Sequence, residues 1–394
     1  MIKFILNFPM KNNRNLVLLC FALSLIICLT ANSQIPDTLD FPAGQASDSV
    51  PATMQDQDHL LTADTVSQKQ RSLVITGVGD IMFGTTYPSR RFLPRHDDPL
   101  VLLGDLADSL AMSDITFGNL EGSFLDKGDP AKKCRDTTIC YLFRMPERYA
   151  GALRVAGFDI LSLANNHFGD FGQASRNRTM ELLDSLEIEY AGLIEKPWAI
   201  FARDSVVYGF CAFAPNAGTV SITDIPSAER LVRFLSDTCD IVIVSFHGGA
   251  EGAEHQHVTR KEEISFGENR GNVYEFSHRL IDAGADIVFG HGPHVTRAVE
   301  VYRERFIGYS LGNFCTYGRF NLSGPNGIAP VIKVNVDMTG RFLSARIIPV
   351  FQVYNGGVRV DPDKRVIRKI RELTAMDFPE SVIDISDDGE IKYK

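Results

Sequence analysis

Clusters of lysine and arginine are missing from this 394-residue chain, in which 40 basic residues stand against 49 acidic ones for a net charge of −9. Phosphate backbones are bound by such clusters, so the composition excludes a nucleic-acid partner. A membrane-length apolar run is missing as well. The stretch LVLLCFALSLIICL near the N-terminus has about fourteen residues where a spanning helix wants roughly 20. Lys3, Lys11 and Arg14 precede it and the small residues Ala31 and Ser33 follow, so residues 1–33 read as an export signal, with an uncleaved anchor as the alternative. Cys28 follows Ile27 and not a small residue, which argues against lipid attachment. This leader carries no acid, and its loss would leave the chain at −12.

Large apolar residues are scarce over residues 34–70, where six Asp, three Pro and many Ser, Thr and Gln occur. Such a segment cannot bury enough surface to offset chain entropy and is expected to be a flexible tether. Cysteine is sparse too. Cys134 and Cys140 bracket a short polar loop that a disulfide could close outside the cytoplasm, whereas Cys211, Cys239 and Cys315 lie in or beside apolar runs and read as buried thiols.

From about Ser72 one theme recurs: a short run rich in Val, Ile and Phe ends, and polar residues follow at once. It appears as LVITGVGD, DITFGNLE, FDILSLANNH, CDIVIVSFHGG, ADIVFGHGPH and FIGYSLGN. Such runs are buried strands. Helical spacing over Glu147–Ala156, Gln173–Leu186, Ser227–Leu235 and Asn272–Ala283 separates them, which predicts an α/β layered domain over 71–355. Ligands in such folds collect beyond the carboxyl ends of the strands. Alternation around Thr339-Gly340 predicts a β-hairpin, and 356–394 reads as a C-terminal extension with a charged helix at Asp363–Ala375.

The polar residues at these ends are of the kinds a two-metal hydrolytic site requires: carboxylates, imidazoles and amide oxygens. Asp80 ends the first run, and Glu121 follows the second, with Asn119 two residues earlier on the same side of an extended backbone. Asn166 and His167 follow the third, His247 sits in SFHGGAE, and His291 with His294 in GHGPH. Four of the nine histidines therefore fall at such ends. Taken singly, a strand-end Asp is more often a turn or cap former, and a lone His a satisfied buried donor. His255 and His257 in EGAEHQHVTR sit in a polar loop where a structural role is favoured, His255 being the better candidate of the two. Arg144, in YLFRMPE, either pairs internally with a carboxylate or faces an anionic substrate.

Seven ordered motifs, GDIMFG, GNLEGSF, FRMPE, AGFDILSLANNHFGDFG, VSFHGGAE, DAGADIVFGHGPHV and YSLGNF, together resemble the capsule synthesis protein CapA family, associated with bacterial poly-γ-glutamate capsules, over about Leu73 to Phe314. The resemblance implies a metallophosphatase-like four-layer αββα sandwich with two divalent ions (Mn, Fe, Zn or Mg). Carried over, Asp80 would hold the first ion, Glu121 would bridge, Asn166, His247 and His291 would bind the second, and His294 would return to the first. His167 would protonate a leaving group with Asp170 orienting it, and Asn119, Arg144, His255 and Asn313 are candidate substrate contacts. The chain departs from the wider phosphatase pattern at Met82, where a ligand histidine would stand, and in the three-residue spacing of His291 and His294. Gly248 and Gly292 replace larger residues common in the family, an exchange expected to open the site.

The expected function is that of an exported protein, periplasmic, extracellular or membrane-tethered, that hydrolyses or transfers phosphoester or γ-glutamyl amide bonds of an anionic envelope polymer, with a membrane-bound polymer synthase as a candidate partner. The alternative is a non-catalytic polymer-binding or synthase-partner module with a degenerate metal site.

Overall fold

The computed structural model describes residues 71–133 and 140–394. The expected leader and tether, and Cys134 of the candidate disulfide, lie outside the described residues, while Cys140 is disulfide-bonded.

The apolar runs become the strands that matter for function: β1 (Ser72–Met82), β2 (Ile115–Leu120) and β3 (Ile160–Ser162), then β4 (Val206–Phe213), β5 (Ile241–His247), β6 (Ile287–His291) and β7 (Asn313–Thr316). Helices α1 (Gly172–Ser185), α2 (Ile225–Ser236), α3 (Val273–Asp282) and α4 (Arg365–Asp377) lie between or after them. Asp224 caps α2 by accepting from the Ser227 N–H at 3.2 Å, and Asn272 caps α3 by accepting from Glu275 N–H at 3.2 Å. The helix expected over Glu147–Ala156 is broken into a 3-10 turn at Glu147–Tyr149 and a short helix at Gly151–Val155. Gly151 stands at the break, a poor helix former in the middle of the segment.

Two sheets result. In the ten-stranded one, β1 pairs in parallel with β2 and β7 and antiparallel with Ile328–Asp337, while β3 continues in parallel from β2. The strands Ile328–Asp337 and Phe342–Val353 form the expected hairpin. In the six-stranded sheet β4, β5 and β6 run parallel to one another. The segment after residue 355 returns to the larger sheet, where Gly357–Val360 and Glu390–Tyr393 both pair with Phe342–Val353.

Three buried clusters define the layers. Between the sheets, Ile75 and Phe117 meet Phe210, Ile243 and Phe289. Outside the larger sheet, Leu103, Leu110, Leu153 and Leu183 cover Val78, Leu120 and Leu161. Outside the smaller sheet, Leu231 and Leu235 of α2 and Phe276 and Leu280 of α3 cover Val242, Val244 and Val288. The order is helix, sheet, sheet, helix, the αββα sandwich expected. The parallel strands β2, β3, β5, β6 and β7 are buried along their whole length, which explains why they read as continuous apolar runs and not as alternating ones.

Phe117 sits at the centre, stacked on Phe289 at 5.2 Å between centroids and 5.5 Å from the ring of His291, so the inter-sheet core is also the floor of the strand-end cluster. Phe117→Ala should lower unfolding stability by about 3–5 kcal/mol. A urea midpoint indistinguishable from that of the unmodified chain would show that this ring is not central to the core.

Candidate metal centre

The chemistry-bearing residues converge because parallel strands of both sheets end on one side. In the larger sheet Asp80 is level with Asn119 of β2 and Asn313 of β7. In the smaller sheet His247 of β5 lies directly beside His291 of β6. Register slips on both sides of Asp80, between Gly77 and Asp80 against β2 and between Asp80 and Ile81 against β7. Irregularities of this kind re-aim a side chain at a strand end.

Asp80 is fully buried and its two oxygens are fully engaged. Oδ1 accepts from Asn119 Nδ2 at 2.8 Å and lies 3.2 Å from His291 Nδ1, and Oδ2 lies 2.9 Å from His294 Nδ1. Burial would raise this carboxyl, but the hydrogen bonds from His291 and His294 hold it well below the usual carboxylate range. Glu121, also fully buried, goes the other way: burial and then the Asp80 charge push it well above the usual range. Between them His294 is pushed up to about 10: burial opposes its charge, but the Glu121 carboxylate and the Asp80 hydrogen bond outweigh that. Asn119 Nδ2 also donates to Glu121 Oε2 at 2.9 Å, so a single amide spaces the two carboxylates.

The three-residue spacing of His291 and His294 is absorbed by the backbone. Gly292 has φ 118° and His294 φ 58°, the latter a left-handed conformation unusual for a side-chain-bearing residue. The His294 carbonyl is held there by Asn313 Nδ2 at 3.2 Å and Asn326 Nδ2 at 3.1 Å. The glycines do not open the site. A Cβ on Gly292 would lie 2.6 Å from the Gly248 carbonyl oxygen, and one on Gly248 would lie 2.5 Å from Ile222 Cδ1. The two backbones pack against each other, and the space a side chain would fill is already taken. Met82 is buried, and its Sδ accepts from the Gly84 N–H at 3.2 Å.

His167 lies on the neighbouring rim. Its Nδ1 is 2.8 Å from Asp170 Oδ2, which also accepts from Phe143 N–H at 2.9 Å. The Phe143 ring is 4.2 Å from the imidazole, centroid to centroid. Asn165 ties this loop to the carboxylates: its Nδ2 donates to Asn119 Oδ1 at 3.1 Å, and its Oδ1 accepts from His167 N–H at 3.1 Å. His167, Asp170, Asn166, His294 and Arg270 line one cleft of about 1110 Å³.

Other candidates fall elsewhere. Arg144 does not line this cleft; its guanidinium donates to Thr86 Oγ1 at 2.8 Å and to the Gly128 carbonyl, lies 4.9 Å over the Phe171 ring and feels the charges of Asp129 and Asp126. His255 is half-buried beside Glu254, 3.6 Å from its carboxylate, and His257 pairs with Asp377 at 2.7 Å. Asn119 and Asn313 are occupied as positioning amides. Two residues with no strand-end signature also enter the site: Asn165, one position before the candidate ligand, and Arg270, whose Nη2 lies 3.2 Å from His247 Nε2. Only the polar composition of the loops ANNH and ENRGN could have pointed to them.

Whether these residues suit a divalent ion is tested by their unsatisfied atoms. Glu121 Oε1, Asn166 Oδ1 and His291 Nε2 are buried without a hydrogen-bond partner. Buried acceptors are rarely left so. Among the described residues, Asp80, Glu121 and His294 bring ligand atoms within 4.8 Å of one another, a hard-oxygen and imidazole set that fits a divalent ion. The second set, Asn166, His247 and His291, fits in part, because His247 Nε2 already faces Arg270.

A two-sheet α/β protein with a carboxylate and imidazole cluster at its strand ends is the class that fold and site define. The chain belongs to the bacterial capsule synthesis protein family: the model described as bacterial capsule synthesis protein PGA_cap matches residues 74–317. It is 26% identical over 268 residues to the capsule biosynthesis protein CapA of Bacillus anthracis, covering 63% of this chain and 60% of that protein. The match to the PGA biosynthesis protein CapA of Bacillus subtilis is 28% identical over 180 residues, covering 41% and 43%. The chain thus spans about three fifths or less of these two relatives' lengths. Solved structures with partial likeness include a hypothetical protein of Thermus thermophilus (TM-score 0.44, 16% identity, 71% of this chain and 100% of that one). Another is a purple acid phosphatase of yellow lupin, Lupinus luteus (TM-score 0.36, 10% identity, 76% and 55%).

Ion binding should release protons. His294, at about 10, is protonated at neutral pH and must lose that proton to become a ligand, and Glu121 adds a second wherever it is still protonated. Apparent affinity for Mn²⁺ should therefore rise by about tenfold per pH unit between about pH 6 and about pH 8 for each proton displaced. Calorimetry in buffers of different ionisation enthalpy reads the release directly, and a pH-independent affinity with no proton release would contradict this assignment.

Proposed function

We propose that this chain is an exported, metal-dependent hydrolase or transferase that acts on phosphoester or γ-glutamyl amide bonds of an anionic cell-envelope polymer. The observation that carries the reading is the convergence of ligand atoms from both sheets on Asp80, with His294 of that cluster lining the same cleft as Asn166 and the His167–Asp170 pair. Family membership supports the polymer and, with it, a membrane-bound polymer synthase as a partner.

A divalent ion held by Asp80, Glu121 and His294 would supply Lewis acidity and an activated water. The protein's own groups do the rest. Asp170 accepts from Nδ1 of His167 and so fixes the ring, leaving Nε2 as the nitrogen that can carry a proton to a leaving oxygen or nitrogen. Phe143 and Phe320, stacked 4.9 Å apart, flank His167 and His294 and keep water from one side of both rings. Lys132, Lys133 and Arg176 line the same cleft, which supplies positive charge to an anionic chain despite the acidic surface of the molecule.

Met82 favours a second reading. In sequence it stands where the resemblance would place a ligand histidine, and its thioether instead accepts from the Gly84 N–H within the core, consistent with a polymer-binding module whose metal affinity has been weakened.

His167→Gln should lower turnover of a phosphodiester or of poly-γ-glutamate by about 10²–10⁴-fold. Bound metal, measured alongside, should be unchanged. Equal turnover by the variant and the unmodified chain would remove His167 from the reaction. A metal-free protein, inert in both forms but retaining poly-γ-glutamate on a column, would favour the binding module.

A further inference from the structure

Resting on the metal-centre reading above, we propose that Arg270 stands in for the second cation, so that the centre takes one divalent ion with a guanidinium as its permanent positive neighbour. The residue approaches from a loop that precedes α3, and its side chain is 3% exposed. A guanidinium offers five N–H donors and no lone pair. In the 3.2 Å contact with Arg270 Nη2, His247 Nε2 must therefore be the acceptor.

That contact determines what His247 can do. A neutral imidazole that accepts at Nε2 carries its hydrogen on Nδ1, and Nδ1 here is buried with no partner. Neither nitrogen then has a lone pair for an ion. Moving the hydrogen to Nε2 would free Nδ1 but set N–H against N–H at 3.2 Å. A second ion can use His247 only if Arg270 leaves.

Arg270 is held too firmly to leave. Its Nη2 also donates to Glu251 at 2.8 Å and its Nη1 to Glu268 at 3.1 Å, while Glu268 is fixed by Asn216 Nδ2 at 2.9 Å. Charge-assisted bonds of this kind, at a buried site, are strong and geometrically specific. A divalent ion placed against the guanidinium would also meet like charge where screening is weak. The Nε atom of Arg270 has no hydrogen-bond partner, and the residue lines the cleft. It can thus set a fixed positive charge beside a bound phosphate or carboxylate without coordinating it.

The full chain saturated with Mn²⁺ and dialysed should retain one equivalent, with the spectrum of an isolated Mn²⁺ ion in electron paramagnetic resonance. Arg270→Gln, which keeps a polar amide but is shorter and carries no charge, should retain two equivalents with an exchange-coupled spectrum, and Arg270→Lys should stay at one. Two coupled equivalents in the unmodified chain would overturn the proposal and leave the metal-centre reading intact. One equivalent in a folded Arg270→Gln variant would also overturn it, since the charge would then not be what excludes the second ion. No retained Mn²⁺ in the unmodified chain would overturn both.

Discussion

A carboxylate with no exposed surface, Asp80, sits at the end of a strand between two sheets, and the site is built around meeting its charge. Moving an ion out of water is costly unless donors replace the lost hydration, and removing one partner of such a group destabilises by about 3–5 kcal/mol. The donors come from different places. Asn119 belongs to the neighbouring strand, whereas His291 and His294 come from the opposite sheet and the loop after it. One buried charge therefore clamps the two sheets at the point where the ligand atoms meet. The proton on His294 offsets negative charge that an ion would otherwise neutralise, which is why binding and protonation compete there.

The link from this clamp to His167 is made of neutral groups. Asp80 is bonded to Asn119, Asn119 to Asn165, and Asn165 to the His167 backbone. Amides do not titrate, so this link carries no charge of its own. On the other side of the cleft the connection to His247 is made by a buried guanidinium clamped by Glu251 and Glu268. The two rims are thus unlike: one ends in a group suited to moving a proton, the other in a charge that cannot be lost.

Departures from the wider phosphatase pattern have local explanations. The extra residue between His291 and His294 is taken up by left-handed backbone at Gly292 and His294, and both rings still reach Asp80. Gly248 and Gly292 are required by the approach of two backbones, a packing constraint and not an enlargement of the cleft. Met82 is absorbed into the buried cluster outside the larger sheet.

The sequence pattern alone determined an α/β layered class and the positions that supply the cluster, because strands buried on both faces must be apolar and must stop where polar chemistry begins, whereas the αββα arrangement came with the family resemblance. Asp80, Glu121, Asn166, His167, His247, His291 and His294 were all legible as residues that follow such a stop. What those residues touch was not legible. Arg144 reads as a candidate substrate contact but is spent on Thr86, the Gly128 carbonyl and the Phe171 ring, while Arg270, in an unremarked loop, reaches His247. The C-terminal strands that join the larger sheet were likewise hidden. Local pattern reports whether a side chain is buried. Only tertiary structure decides which side chains, distant along the chain, share that burial, because hydrogen-bond partners are selected by sheet register and loop closure and not by spacing along the chain.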